Sequence, residues 1–359
     1  MKITIVGGGN IGTQFAVHCA EKGHDVIIFT STPEIYDGYL YIVDENGNKI
    51  HEGNIKLATD NPVVAFARAE MIFVTVPPAL MREKADVILK YANDSAIIAI
   101  VPGNGGGECA FRECIERGNV FFGMERVPAI ARLTEKGKCV RSVGYRKELH
   151  VAALPKRNAA KCADIVGGIF DIPTKVIPEF LSLTMTPSNP ILHTTRLNTI
   201  FKDWHEGMSY KSVPLFYEEW DDKSSELLMA CDEEVQTICE NLPEYDLKTV
   251  KSLKVYYESY TLREMTEKLR SIPAFKGLKT PVLEKDGLYV PDFQSRYFTS
   301  DFAYGLKILK QIAEFANVKT PFIDDVLRWY EEISHENQEF RYADYGIKSR
   351  TDFDSFYSL

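Results

Sequence analysis

No C-x-x-C pair occurs in this chain, and its seven cysteines (19, 109, 114, 139, 162, 231, 239) are an odd number. They cannot all pair within one molecule, and scattered thiols of this kind are what a reducing, cytoplasmic setting leaves. Neither Cys109 with Cys114 nor Cys231 with Cys239 has a histidine pair at ligand spacing beside it, so no metal centre is expected. Also missing is any apolar run near the roughly 20 residues that cross a bilayer. Long basic runs are absent too, and the net charge is −9. That excludes the electrostatic footprint of a nucleic-acid or anionic-membrane binder. A β-branched run begins at Lys2, so no leader peptide is expected. Internal repeats and low-complexity tracts are lacking as well. What remains is an ordinary globular composition, 45% hydrophobic and 26% charged, and 359 residues are enough for two domains with their own cores.

The informative stretch is the first thirty residues. Lys2 to Val6 reads as a buried strand, Gly7-Gly-Gly9-Asn10-Ile11-Gly12 follows at once, and Thr13 to Lys22 has a helical pattern. Gly23-His24-Asp25 then turns the chain into Val26 to Phe29, a second strand. Within this βαβ unit Gly7, Gly9 and Gly12 satisfy G-x-G-x-x-G. Gly7 permits the tight turn, Gly9 lets a pyrophosphate approach the backbone, and Gly12 lets helix and sheet pack closely. The N–H groups at the start of the helix, from Asn10 and Ile11 onward, would meet the phosphates. One part of the pattern is missing. The second strand ends in Thr30-Ser31-Thr32, with no acid until Glu34, where an NAD site usually holds a carboxylate for the ribose. The repulsion against a 2′-phosphate is therefore absent, and the Thr30 and Ser31 hydroxyls could donate to one. No Arg or Lys follows nearby to pair with it. The expected cofactor is NADP or NAD, with the balance tilting slightly to NADP.

Further along, Asn46-Gly47 marks a hairpin between Tyr39 and Lys56. Met71 to Val76 and Ser95 to Val101 read as buried strands separated by a helix, Ala79 to Tyr91. Continuous apolar strands alternating with helices point to a parallel, doubly wound sheet of Rossmann type. Ligands of such sheets lie outside the carboxyl ends of the strands. The corners at Pro77 and at Pro102-Gly103-Asn104 are therefore expected beside the cofactor, against the plain alternative of turn chemistry. Around Pro173 to Pro178 the alternation stops. The expected domains are a dinucleotide-binding domain, 1–177, and a mainly helical substrate domain, 178–359. Its helical segments are Leu215 to Asn241, Tyr260 to Arg270, Tyr304 to Ala316 and Pro321 to Glu332.

Reduction of a C=O or C=N bond needs a proton donor as well as hydride, and histidine titrates near neutrality. His193 lies in a polar, proline-punctuated stretch, Thr184 to Arg196, just past the expected boundary. A lone histidine can equally be a surface or satisfied core residue. A second stretch, Pro291 to Gly305, holds Arg296 and Asp301. Asp301 could cap a helix or orient His193. Arg296 could be a surface charge or a two-pronged donor to a substrate carboxylate.

Taken together, these motifs resemble the octopine/nopaline (opine) dehydrogenase family along most of the chain. The resemblance runs through Gly7 to Gly12, Pro102-Gly-Asn-Gly-Gly, Glu148 to Pro155, Asn189-x-x-x-His193, Arg296-Tyr-x-Thr-x-Asp301 and Tyr304-Gly-Leu306. It implies that His193 is the acid/base, Asp301 its partner, and Arg296 a carboxylate-binding or site-organising residue. The implied reaction is an NAD(P)H-dependent reductive condensation of an amino acid with a 2-oxo acid, and a homodimer is left open. In that family the histidine is typically followed by proline. Here Thr194-Thr195-Arg196 follow, which suggests a reshaped pocket in which Arg196 would help Arg296 to offset substrate charge. The rival expectations are a ketopantoate-reductase-like or 2-hydroxy-acid-type enzyme acting on a free 2-oxo acid, and a non-catalytic NAD(P)-binding sensor.

Overall fold

Apolar, mostly β-branched residues make the first strand, β1 (Lys2–Val6), and all but Lys2 are buried, as befits a strand covered on both faces. The structure, a computed structural model, describes residues 1–186, 188–334 and 339–359. Eleven more strands follow in the first part of the chain: β2 (Asp25–Phe29), β3 (Tyr39–Val43), β4 (Lys49–Asn54), β5 (Leu57–Thr59), β6 (Met71–Val74), β7 (Ile97–Ile100), β8 (Phe121–Met124), β9 (Ile130–Glu135), β10 (Cys139–Val143), β11 (Leu149–Leu154) and β12 (Thr174–Val176). Eight of them form one sheet in the order β12-β11-β8-β7-β6-β1-β2-β5. Every pairing in it is parallel except β8 with β11. The expected doubly wound sheet is present.

The expected hairpin, β3–β4, pairs through β3 with β10 and so joins a second sheet of order β4-β3-β10-β9. Between the two sheets lies the helix α1 (Asn10–Glu21), which explains why Gly12 to Cys19 is buried without a polar face. On one side Phe15 meets Phe73 edge-on at 5.1 Å. Facing the second sheet, the Gln14 amide donates to Ser142 Oγ at 2.8 Å and His18 Nε2 meets the Tyr145 hydroxyl at 3.2 Å. Burial, and then the neighbouring His51, lowers the His18 pKa to about 3, so this histidine is neutral.

The chain divides into two units, Met1–Thr184 with Asp354–Leu359, and Met185–Phe353. The sequence expectation of 1–177 and 178–359 stops short of the first unit for a packing reason. Phe180 lies 5.5 Å from the Phe121 ring, and Leu183 fills the space that side chains at Gly103 and Gly123 would need. The hydroxyls of Thr184 and Tyr357 both donate, at 2.6 Å, to one oxygen of the buried Glu108 carboxyl. Those contacts draw in the chain as far as Thr184, and its last six residues.

The second unit is mainly helical, with helices at Ser188–Phe201, Asp222–Glu240, Leu262–Ser271, Lys307–Phe315 and Pro321–Ser334. A hairpin, β13 (Val282–Lys285) and β14 (Leu288–Pro291), completes it. Two elements differ from expectation. Residues 215–221 precede their helix instead of opening it, because Asp221 Oδ1 accepts from Ser224 N at 2.8 Å and caps the first turn. The polar, proline-punctuated stretch around His193, given no secondary structure from the sequence, is the helix Ser188–Phe201. Pro190 sits in its first turn, where no backbone donor is lost. Pro187, from the same stretch, lies outside the described residues.

Candidate functional site

In the first unit the glycine loop leaves β1 and opens α1. A Cβ at Gly12 would stand 1.8 Å from Gly7 O, so only glycine lets the helix start this close to the strand. A Cβ at Gly9 would meet nothing within 4 Å, which leaves open the space a phosphate needs. Gly9 occupies the cap position, and helix geometry leaves the N–H groups of the first turn without intrahelical acceptors. The Asn10 side chain is used otherwise. Its Oδ1 accepts from Leu133 N of β9 at 2.7 Å, which ties the side-chain oxygen to the second sheet. Ile11 packs its side chain against the core in the same way.

The corner before Pro77 is bound to this loop, because Thr75 Oγ1 donates to Val6 O at 2.9 Å. Pro77 and Asn104 follow the carboxyl ends of β6 and β7, the two strands next to β1 on one side. At the end of β2, the Thr30 hydroxyl accepts from Thr32 N at 3.4 Å and Ser31 is exposed. Two neighbours escaped sequence reasoning. The Tyr36 hydroxyl donates to Gly8 O at 3.3 Å, and Lys84 Nζ stands 5.8 Å from the centre of the Phe29 ring. Lys84 follows Phe29 by 55 residues, so a search just past the strand could not find this cation.

In the second unit His193 sits on its helix, 3% exposed. Its Nδ1 lies 2.7 Å from Asp301 Oδ2, and its Nε2 lies 2.8 Å from the Tyr217 hydroxyl. A carboxylate accepts, so in the neutral imidazole the proton sits on Nδ1 and Nε2 accepts from the Tyr217 hydroxyl. Asp301 reaches His193 through a close helix contact. A Cβ at Gly305 would stand 2.7 Å from Pro190 Cγ, so glycine there lets the two segments touch. Leu306 N bonds back to Asp301 O at 2.8 Å, a widened turn of the kind common at functional sites.

The Tyr297 ring covers His193 at 4.2 Å, and the Arg296 guanidinium stands 5.6 Å from that ring. Arg296 itself is exposed, and among the described residues no carboxylate pairs with it.

Arg196 corrects a sequence expectation. It is 1% exposed and fully engaged by the protein. Nε donates to Phe216 O at 3.0 Å, Nη1 to Ser224 Oγ at 2.9 Å and Nη2 to Glu219 O at 2.6 Å, with Asp221 at 3.4 Å. These contacts commit the guanidinium to the protein, so this arginine braces the segment carrying Tyr217 instead of standing free for substrate charge. Thr194 and Thr195 are likewise turned inward, their hydroxyls bonded to Pro190 O and Ile191 O of the same helix. A further group, His18, Glu21 and His51, brings its ligand atoms within 4.8 Å of one another. His18 is already bonded to Tyr145, and Glu21 to His51 at 2.8 Å.

Residues 176–334 match the family described as NAD/NADP octopine/nopaline dehydrogenase, alpha-helical domain. Residues 2–104 match the NAD-dependent glycerol-3-phosphate dehydrogenase N-terminus. Among curated relatives, an opine dehydrogenase of Haliotis discus hannai is 27% identical over 365 residues, covering 91% of this chain and 89% of that one. An octopine dehydrogenase of Pecten maximus is 25% identical over 362 residues, covering 92% and 90%. Among solved structures, an octopine dehydrogenase with NADH and L-arginine has the same fold, with a TM-score of 0.87 at 21% identity over 100% of this chain and 98% of that one.

Proposed function

We propose that this chain, whose residues 176–334 are an octopine/nopaline dehydrogenase α-helical domain, is an opine-type dehydrogenase. It condenses the amine of an amino acid with a 2-oxo acid and reduces the resulting C=N bond, using NAD(P)H. The observation that carries this reading is the 2.7 Å contact between His193 and Asp301, residues 108 apart in the chain.

An amino acid arrives as an ammonium, which cannot attack a carbonyl. His193, with Asp301 holding Nδ1–H, takes a proton from it, and the freed amine forms the C–N bond. As the C=O π bond opens, a proton passes from the attacking nitrogen to the oxygen, which becomes a hydroxyl. Protonated His193 returns its proton to that hydroxyl, the C–O bond breaks, and water leaves an iminium. NAD(P)H, when bound, supplies the hydride that reduces the iminium carbon. The secondary amine then takes up a proton from solvent, so each turnover consumes one. The imidazole is thus base and then acid within one cycle. Arg296, exposed and with no carboxylate partner among the described residues, suits a substrate carboxylate as a bidentate donor.

The glycine loop fits a dinucleotide by its own geometry, with open space over Gly9 and the free donors of α1. The second strand ends in Thr30-Ser31 with no carboxylate at the usual ribose position, which supports a lean to NADP over NAD, although the nearest cation, Lys84 by Phe29, is already paired with Glu83 at 2.6 Å. Six of the seven cysteines are buried and none is paired, which supports a reducing, cytoplasmic setting. Light scattering would read whether the chain is a homodimer.

The test is oxidation of NADH and NADPH with pyruvate and other 2-oxo acids, each with and without a panel of amino acids. Oxidation that requires both co-substrates, with the condensed secondary amine identified by mass, is the expected result. Oxidation by a 2-oxo acid alone would overturn this reading in favour of a simple reductase.

A further inference from the structure

Both nitrogens of His193 are occupied by protein, which raises the question of how a proton reaches it. Nδ1–H is held by Asp301, and Nε2 faces the Tyr217 hydroxyl at 2.8 Å. The imidazole is 3% exposed and walled by Phe216 and Tyr297, at 5.8 and 4.2 Å between ring centres. A substrate atom would have to displace Tyr217 to touch Nε2 directly. That displacement is opposed on two sides. The Tyr217 ring stacks on Phe275 at 4.0 Å and lies parallel to Trp220 at 6.1 Å. Its backbone segment is pinned by the buried Arg196, which holds the carbonyls of Phe216 and Glu219.

Resting on the opine-type reading, we propose that Tyr217 relays the proton between substrate and His193. When the ammonium gives up a proton, its N–H bond breaks and an O–H bond forms on Tyr217. The original Tyr217 O–H bond breaks as an N–H bond forms on Nε2. The reverse shift returns the proton to the hydroxyl that leaves as water. Tyr217 starts and ends neutral, and no other reactant is needed. A hydroxyl suits this place because it both donates and accepts. A carboxylate there would favour only imidazolium, and a hydrocarbon would leave a buried lone pair unsatisfied.

The surroundings keep the phenol un-ionised. Burial is the main cause, helped by the nearby Tyr297, Tyr257 and Asp301, while Arg296 acts the other way, and together they push its pKa well above the ordinary 10. A neutral relay is therefore available across the whole working pH range. Nothing in Phe216-Tyr217-Glu218-Glu219-Trp220 marks this residue in the sequence.

Tyr217→Phe is the test, because it keeps the ring stack and removes only the hydroxyl. The expected result is a fall in kcat of about a hundredfold or more, with cofactor affinity and both KM values near wild type. Nitrogen NMR of the free protein gives an independent reading. The Nε2 resonance of His193 should move on loss of the phenol, while the Nδ1–H···Asp301 proton signal stays in place. Turnover near wild type would overturn the relay, since substrate would then reach Nε2 unaided. Low turnover with the Asp301 signal lost would also overturn it, leaving Tyr217 a structural prop. If the wild-type protein condenses no amino acid with any 2-oxo acid, the opine-type reading fails instead. The NMR comparison would still separate the cases, because an unmoved Nε2 resonance removes the hydrogen bond on which the relay depends.

Discussion

The glycine loop and the histidine cluster are built in opposite ways. The loop uses backbone. Its donors are the N–H groups that any helix start leaves free, and its specificity lies in the absence of side chains at Gly9 and Gly12. The cluster uses side chains drawn from three segments, at His193, Tyr217 and Asp301, each placed by packing elsewhere in the second unit. A site made of backbone is written locally and tolerates change around it. One made of distant side chains depends on the whole unit, including buried charges that cost stability.

That contrast can be broken or sharpened, starting where the effect is largest. Asp232 in the second unit is 1% exposed, and burial raises its pKa to about 7. One oxygen accepts from Leu253 N at 2.8 Å and the other has no hydrogen-bond partner among the described residues. Because the folded pKa is raised, the neutral carboxyl's contribution is whole below about pH 4 and is lost as pH rises through 7. The total is about 4 kcal/mol. Tm should therefore fall between about pH 4 and pH 7, and Asp232→Asn should remove most of that fall. Equal slopes in the two proteins would deny the cost.

Next comes a pair of arginines. Arg196→Met removes a buried cation and strands the carbonyls of Phe216 and Glu219, so denaturant titration should show a loss of about 3 kcal/mol. Arg296→Gln, at an exposed position, should leave that midpoint unchanged and raise KM for a carboxylate substrate about tenfold. The opposite pattern would exchange their roles. The smallest effect on the fold belongs to the loop. Gly9→Ala adds a methyl that meets no protein atom, so stability should hold while cofactor binding weakens by about tenfold. Unchanged affinity would move the phosphates away from Gly9.

The same contrast explains what was legible in the sequence. Strand, glycine turn and helix follow one another within thirty residues, and the parallel sheet and its corners could be placed from apolar runs alone. His193, Asp301 and Arg296 stood out only through their resemblance to a family, because spacing says nothing about residues 108 apart. Tyr217 was invisible for the same reason. Arg196 was misjudged because an arginine beside a candidate acid/base looks like a ligand until its partners are seen. The boundary at 177 fell short since nothing local announces that Leu183 packs on Gly103 and Gly123, or that Tyr357 returns to Glu108. Lys84 was missed because the fold, not the chain, brings it to Phe29.

The most direct test of this division of labour is His193→Ala, followed by two readings on one sample. NAD(P)H binding, measured by fluorescence, should match wild type, while turnover with amino acid and 2-oxo acid should fall by about two to four orders of magnitude. Near-normal turnover in that variant would contradict the account, since the second unit would then hold no acid/base at His193.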